Sequence, residues 1–227
     1  MTMVVDEYSR LPEPPPHRIL LVLDARYPPP RGGGGAEHQV EKLARRFMQL
    51  GYAVEVWVPA GENANNPMPI QPWHGTVRHV PHPRVRWIGG LVMQLNLLRM
   101  LWRHRRVFSA IHTHIVGGLA LSCCLMGPWL RVPVIVKFTG YADIEKRQGR
   151  SGIVERMRQR LLQRATFIQA ISRRIHSTLC TAGFATAAVK HVPNGVELAA
   201  HAPDARQREL VRRELAVPAD ATVAVYS

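Results

Sequence analysis

From Arg18 onward, short runs of aliphatic and β-branched residues alternate with longer stretches whose apolar positions recur at helical spacing. The short runs predict strands at Arg18 to Asp24, Ala53 to Val58, Thr76 to Val80, Phe108 to Thr113, Val134 to Phe138, Thr166 to Ala170 and Val189 to Val192. The stretches between them predict helices at Ala36 to Leu50, Ile88 to Arg105, Val116 to Leu130, Gly152 to Arg164 and Ser172 to Ala182. Val40, Leu43, Phe47 and Leu50 line one face of the first helix, with Glu41, Lys42, Arg45 and Arg46 on the others, and Gly51 ends it. Ser172 is an N-cap candidate for the last helix, which Gly183 stops in the same way. Strand and helix in strict alternation, with helices long enough to serve as crossovers, predict an α/β fold built on an open parallel sheet.

The stretch from Val107 to Trp129 carries no charged residue, long enough to raise the question of a membrane span. His112, His114, Gly117, Gly118 and Pro128 interrupt it, so it reads as a buried strand followed by a buried helix. No signal peptide is visible, and the proline-rich start, with Asp6 and Glu7 ahead of Pro12 and Pro14 to Pro16, predicts a disordered lead over 1–17. Cys123, Cys124 and Cys180 are odd in number and lack CxxC spacing, which indicates neither a disulfide framework nor a zinc site and leaves a reducing compartment as the expectation.

With 46% apolar and 20% charged residues in a chain of 227, the protein can bury a core, which excludes disordered, fibrous and rod-like classes. Its net charge of +14 favours anionic partners. No block of five or six like charges forms the arm that wraps duplexes, so nucleic acid is not the expected partner. The helix from Ile88 places Leu91, Leu95, Leu98 and Trp102 on one face with Arg99, Arg103 and Arg106 alongside. Two readings stay open: peripheral contact with an anionic membrane, or a core-facing helix with a solvated basic edge.

Gly32 to Gly35 form a turn without side chains, leading from the first strand into the first helix. Bare backbone and the positive end of a helix dipole suit a phosphate; the other reading is a flexible connection with Glu37 complementing the dipole. The spacing is neither the dinucleotide fingerprint nor the Gly-Lys-Ser/Thr phosphate loop, which argues against a nucleotide-dependent oxidoreductase. Pro193-Asn194-Gly195-Val196 follows a strand and suits a tight turn.

Gly34-Gly35-Ala36-Glu37 opening the first helix, His112-Thr113-His114 ending a middle strand, Gly183-Phe184 ending a helix and Val192-Pro193-Asn194-Gly195-Val196, in this order, resemble family 4 glycosyltransferases of the two-domain GT-B fold. The resemblance implies a doubly wound, Rossmann-like N-terminal domain over 18–200. It implies a hexosyl transfer from a nucleotide-sugar donor to a glycan, lipid-linked or small-molecule acceptor, with retention, without metal and with no cofactor beyond the donor itself. By this resemblance Gly34 and Gly35 face the donor phosphates, and Glu37, His114, Thr139 and Asp143 lie on the cleft or acceptor side. Asn194 and Gly195 form the interdomain turn. Thr139 stands where many relatives carry a histidine that contacts the transferred sugar.

Ala216-Val217-Pro218 resembles the family's Leu-Gly-Leu-Pro, and Val223 to Tyr226 is then expected to be the first strand of a second domain, with 201–227 as interdomain segment and strand. The expectation is a truncated chain, inactive alone, in a cytoplasmic setting at or near the inner face of the membrane. The competing expectation is a non-catalytic basic binding module for membrane surface or nucleic acid, or a half-enzyme that needs a partner.

Overall fold

The computed structural model describes residues 17–25, 27, 34–60, 75–83, 85, 88–140, 152–196, 203–218, 220–224. The chain divides into two compact units, Met1–Asn194 and Gly195–Ser227. The first is built from β1 (Arg18–Leu23), α1 (Gly35–Gln49), β2 (Ala53–Pro59), β3 (Thr76–Val80), α2 (Gly89–Arg103), β4 (Ala110–His114), α3 (Gly118–Leu130), β5 (Val134–Phe138), α4 (Ile153–Leu162), β6 (Phe167–Ala170), α5 (Arg173–Thr181) and β7 (Val189–His191).

All strands run parallel in one seven-stranded sheet of order β3-β2-β1-β4-β5-β6-β7. Alternate residues of β1 and β2 feed two separate cores, whereas the buried apolar residues of β4 to β7 feed only one of them. Leu21, Leu23, Val54, Val56 and Val58 pack with Val40 and Ala44 of α1 on one face. On the other, Leu20, Val22, Trp57, Ile111, Val134, Val136 and Ile168 pack with residues of α2, α3, α4 and α5. Both faces being covered is what makes β1 and β2 nearly continuous apolar runs.

The helix ends follow the sequence closely. Ser172 Oγ accepts the Ile175 N–H at 3.2 Å. Gly51 and Gly183 take φ of 85° and 87°, conformations that side-chain-bearing residues adopt at a cost. The middle strand is shifted from its expected span: it begins at Ala110 and includes His114. Phe108 lies outside the ladder, its ring packed edge-on against Trp57 with centroids 5.4 Å apart. His114 joins because it pairs with Leu23 and Lys137.

The second unit contains α6 (Ala205–Glu214), a helix the apolar pattern did not reveal because none of its residues is buried. Asp204 caps it, accepting the Gln207 N–H at 3.0 Å. The guanidinium of Arg212 donates to the carbonyls of Pro218 and, at 2.7 Å, Ala221. Of the strand expected from Val223 to Tyr226, Val223 and Ala224 pair with no other strand among the described residues, and Tyr226 lies outside them. Of the lead expected over 1–17 all but His17, together with Asp143 and most of Pro59 to Gly75 and Gly140 to Gly152, also lies outside them.

Candidate functional site

The strand order reverses direction between β1 and β4, so their carboxyl ends open a crevice that no crossover covers. In parallel α/β sheets this is where ligands sit. Two helix N-termini flank it: α1, reached from the end of β1, and α3, reached from the end of β4.

At the first, Gly34 is the N-cap of α1 at φ −67° and offers no side chain to it. This φ is open to any residue, so the fold itself does not require glycine. A Cβ on Gly35 would meet nothing within 4 Å, and one on Gly34 would meet only the movable Glu37 carboxylate, at 2.8 Å. Glu37 therefore folds back over the helix end, where it complements the dipole. A helix end left bare by the described residues can hold an anion, provided Glu37 swings away.

At the second, the chain turns sharply after β4. Ile115 takes φ 72°, a costly conformation for a β-branched residue. Gly117 follows as N-cap of α3, and here glycine is required by space: an added Cβ would stand 2.0 Å from Oδ2 of Asp24. Asp24, the first residue after β1, accepts the Leu119 N–H and so caps α3 from the neighbouring strand. Burial raises the pKa of its carboxyl group, against the opposing effects of His82 and the Leu119 N–H.

Between these ends lies a buried basic cluster. Leu23, His114, Lys137 are paired across β1, β4 and β5, and the His112 ring lies 4.4 Å from that of His114. His114, at the end of β4, is only 1% exposed. Among the described residues neither of its ring nitrogens has a hydrogen-bond partner, and His112 Nε2 has none. Burial, reinforced by Lys137, holds His112 down at about 4 despite a hydrogen bond with Gln169. Burial, then His112 and Lys137, keeps His114 well below the usual histidine range. The Lys137 ammonium is pushed down to about 8 by burial. Both imidazoles are neutral at pH 7.

Thr139 is half-buried just past β5, and Asn194 and Gly195 are exposed at the boundary between the two units. The structure thus brings Gly34, Gly35, Glu37, His114 and Thr139 to the carboxyl edge of the sheet. Asp24, Gly117, His112 and Lys137 were not named as site residues from sequence, although His112 belongs to the His112-Thr113-His114 motif and Gly117 interrupts the uncharged stretch. The first two could have been: an acid directly after an apolar strand, and a Gly117-Gly118 pair opening a helix after His114, repeat the logic of the Gly34-Gly35 turn. Among the described residues no three of His, Cys, Asp and Glu gather as metal ligands, and no helix is long and apolar enough to cross a membrane.

A Rossmann-like sheet with a bare helix end at its switch point defines a class of nucleotide-handling α/β proteins rather than one activity. Residues 34–195 match the glycosyl transfer family described as a glycosyl transferase 4-like domain, and the chain belongs to that family. Its fold is that of the N-terminal half of a GT-B glycosyltransferase. Among solved structures it is similar to HepE of Anabaena in complex with UDP, at TM-score 0.64 and 16% identity over 88% of this chain and 50% of that one. It is also similar to a glycosyltransferase from Rickettsia africae, at TM-score 0.58 and 12% identity over 90% and 51%. A UDP-N-acetylglucosamine 2-epimerase from Rickettsia bellii shares the fold at TM-score 0.52 and 8% identity, over 89% and 52%, so likeness of fold leaves transfer and epimerisation undistinguished. No curated protein matches the sequence. The chain spans about half the length of the structures it matches.

Proposed function

We propose that this chain is the acceptor-side half of a hexosyltransferase that takes a sugar from a uridine diphosphate donor to a carbohydrate or lipid-linked acceptor. The observation that carries the reading is the α1 N-terminus within the matched family domain: Gly34 and Gly35 are bare where the fold does not require it. HepE was solved with UDP and with UDP-glucose, which supports the choice of donor base.

In this reading the leaving group is the nucleoside diphosphate, and its growing negative charge is met by the unpaired N–H groups of α1. Preorganised amides of this kind stabilise charge without reorganising during the reaction. Transfer proceeds with retention, and neither metal nor cofactor is needed. Glu37 is the internal stand-in for the phosphate and moves aside when the donor enters. Asp24 and Gly117 fix the opposite wall by holding α3 against β1. Thr139 lies towards the transferred sugar, and Asn194-Gly195 is the turn into the donor-side half.

The test is titration of the labelled chain with UDP, followed by backbone amide NMR. Shifts centred on Gly34, Gly35 and Ala36, abolished by Gly35→Val in a chain whose other amides are unmoved, are the expected result. Millimolar UDP that leaves those amides in place while shifting others would refute the loop assignment.

A further inference from the structure

The face of the sheet that α1 covers over β1 and β2 continues across β4, β5, β6 and β7, and there it changes character. Strand register sets one row along the carboxyl edge: Leu23, His114, Lys137, Gln169 and Lys190 are paired neighbour to neighbour from β1 to β7. A second row, two residues further in along each strand, holds Leu21, His112, Ile135 and Phe167. Alternation along a strand puts both rows on the same face. The alternate residues Ile111, Val136, Ile168 and Val189 point the other way, into the core beneath α2 to α5.

These rows bring three basic side chains together under cover: His112, His114 and Lys137 are 8%, 1% and 3% exposed, while Lys190 stands open on the edge strand. Neither row contains an acid; the other members are leucine, isoleucine, phenylalanine and Gln169, and α1 turns Val40 and Ala44 towards the sheet. Gln169 donates its amide to the Val192 carbonyl at 2.9 Å, which leaves it only an acceptor for His112. Buried basic groups packed side by side are costly while empty, because each is held neutral or stands without a countercharge. A bound cation would be repelled by Lys137, and a neutral sugar would leave the ammonium unpaired. A phosphoryl group brings more than one negative charge and three acceptor oxygens, which pairs with Lys137 and favours protonation of both imidazoles.

We propose that His112, His114 and Lys137 form a phosphate-binding site at the carboxyl edge of β4 and β5, separate from the α1 helix end, in which the two imidazoles take up protons from solvent as the phosphoryl group enters. The group has two possible sources, a phosphorylated acceptor or the diphosphate of the donor. The site stands on the two rows and does not depend on the bare glycines of α1; only the choice between the sources rests on the sugar-transfer reading.

The experiment is titration of the whole chain, labelled with nitrogen-15 at its histidines, with inorganic phosphate at neutral pH and constant ionic strength, followed by the imidazole nitrogen resonances of His112 and His114. Saturable movement of both from the neutral to the imidazolium range is expected. Lys137→Met should weaken phosphate binding about tenfold. Lys190→Gln, on the edge strand, should change it by less than about twofold, since an exposed charge is screened. Circular dichroism checks that each variant is folded, and the unsubstituted chain decides the question by itself should Lys137→Met not fold. Glucose 1-phosphate and UDP are then compared. Histidine shifts with glucose 1-phosphate and not with UDP identify a phosphorylated acceptor as the source; histidine shifts with UDP, in step with the Gly34 and Gly35 amides, identify the donor. Histidine resonances that stay in the neutral range throughout the phosphate titration would overturn the site, and the donor reading would still stand if UDP moved the Gly34 and Gly35 amides. Equal movement in sodium chloride alone, or equal weakening by Lys137→Met and Lys190→Gln, would overturn it as well, because both mark diffuse attraction to a basic surface.

Discussion

Gly117→Ala tests the switch-point crevice more sharply than any change to a charged group. The new methyl would stand 2.0 Å from Oδ2 and 3.1 Å from Cγ of Asp24. That is far inside van der Waals contact, and neither partner can yield at its ease: Gly117 caps α3, while Asp24 is a short side chain at the end of a central strand. Either the carboxyl group is driven off the Leu119 N–H or the start of α3 shifts. Leaving a buried donor unsatisfied costs about 1–3 kcal/mol, and overpacking costs about 1–3 kcal/mol. Since relieving one strain removes the other, the two costs do not add, and a net loss of about 2 kcal/mol is expected. With a urea slope of about 2–3 kcal/mol/M for a chain of this size, the midpoint of urea unfolding should fall by about 1 M. Gly35→Ala is the internal control. Its methyl meets nothing within 4 Å, and at a helix N-terminus it should leave the midpoint unchanged or raise it slightly. The unfolding of both variants is followed by far-ultraviolet circular dichroism. A Gly117→Ala midpoint equal to that of the unsubstituted chain, or a Gly35→Ala loss of the same size, would refute the reasoning.

Other outcomes rest on the buried ionisable groups. His112, with a folded pKa of about 4 against 6.5 for an ordinary histidine, binds fewer protons folded than unfolded in that interval. Its contribution to stability is therefore complete above pH 6.5 and lost as pH falls towards 4, and His112→Gln should flatten that part of a thermal-melt profile against pH. Lys137 has the same sign in a higher window: with a folded pKa of about 8 against 10.5, stability should rise as pH climbs between the two, and Lys137→Met should remove the rise. Glu55 is 2% exposed and accepts from Trp57 Nε1 at 3.1 Å, Arg18 at 2.8 Å and Arg78 at 2.9 Å. Burial pushes its pKa up, but these donors together bring it below the ordinary value, and Glu55→Gln should cost about 2 kcal/mol in urea unfolding at pH 7.

The strands and helices of the first unit were legible in the sequence because each is held by forces acting over a few residues. β3 and β5 fall on the very residues where the apolar runs begin and end. Gly51, Ser172 and Gly183 mark ends by backbone or capping chemistry local to themselves. The parallel sheet followed from alternation, and the bare turn at Gly34 and Gly35 from composition and position alone. α6 escaped because a helix with no buried residue leaves no apolar period to read.

Burial and close approach were decided only by tertiary structure. Whether His114 faces solvent or core depends on its strand neighbours Leu23 and Lys137, which lie far away in the chain. Gly117 reads as an ordinary glycine until Asp24 arrives from another strand, and Glu55 as a surface acid until Arg18, Trp57 and Arg78 converge on it. The α2 stripe shows the same division: its period was plain in the sequence, but which side met the core was settled by Leu97 and Leu101 packing onto the sheet. Sequence periodicity fixes which residues share a face; only the surrounding chain determines which face loses its water.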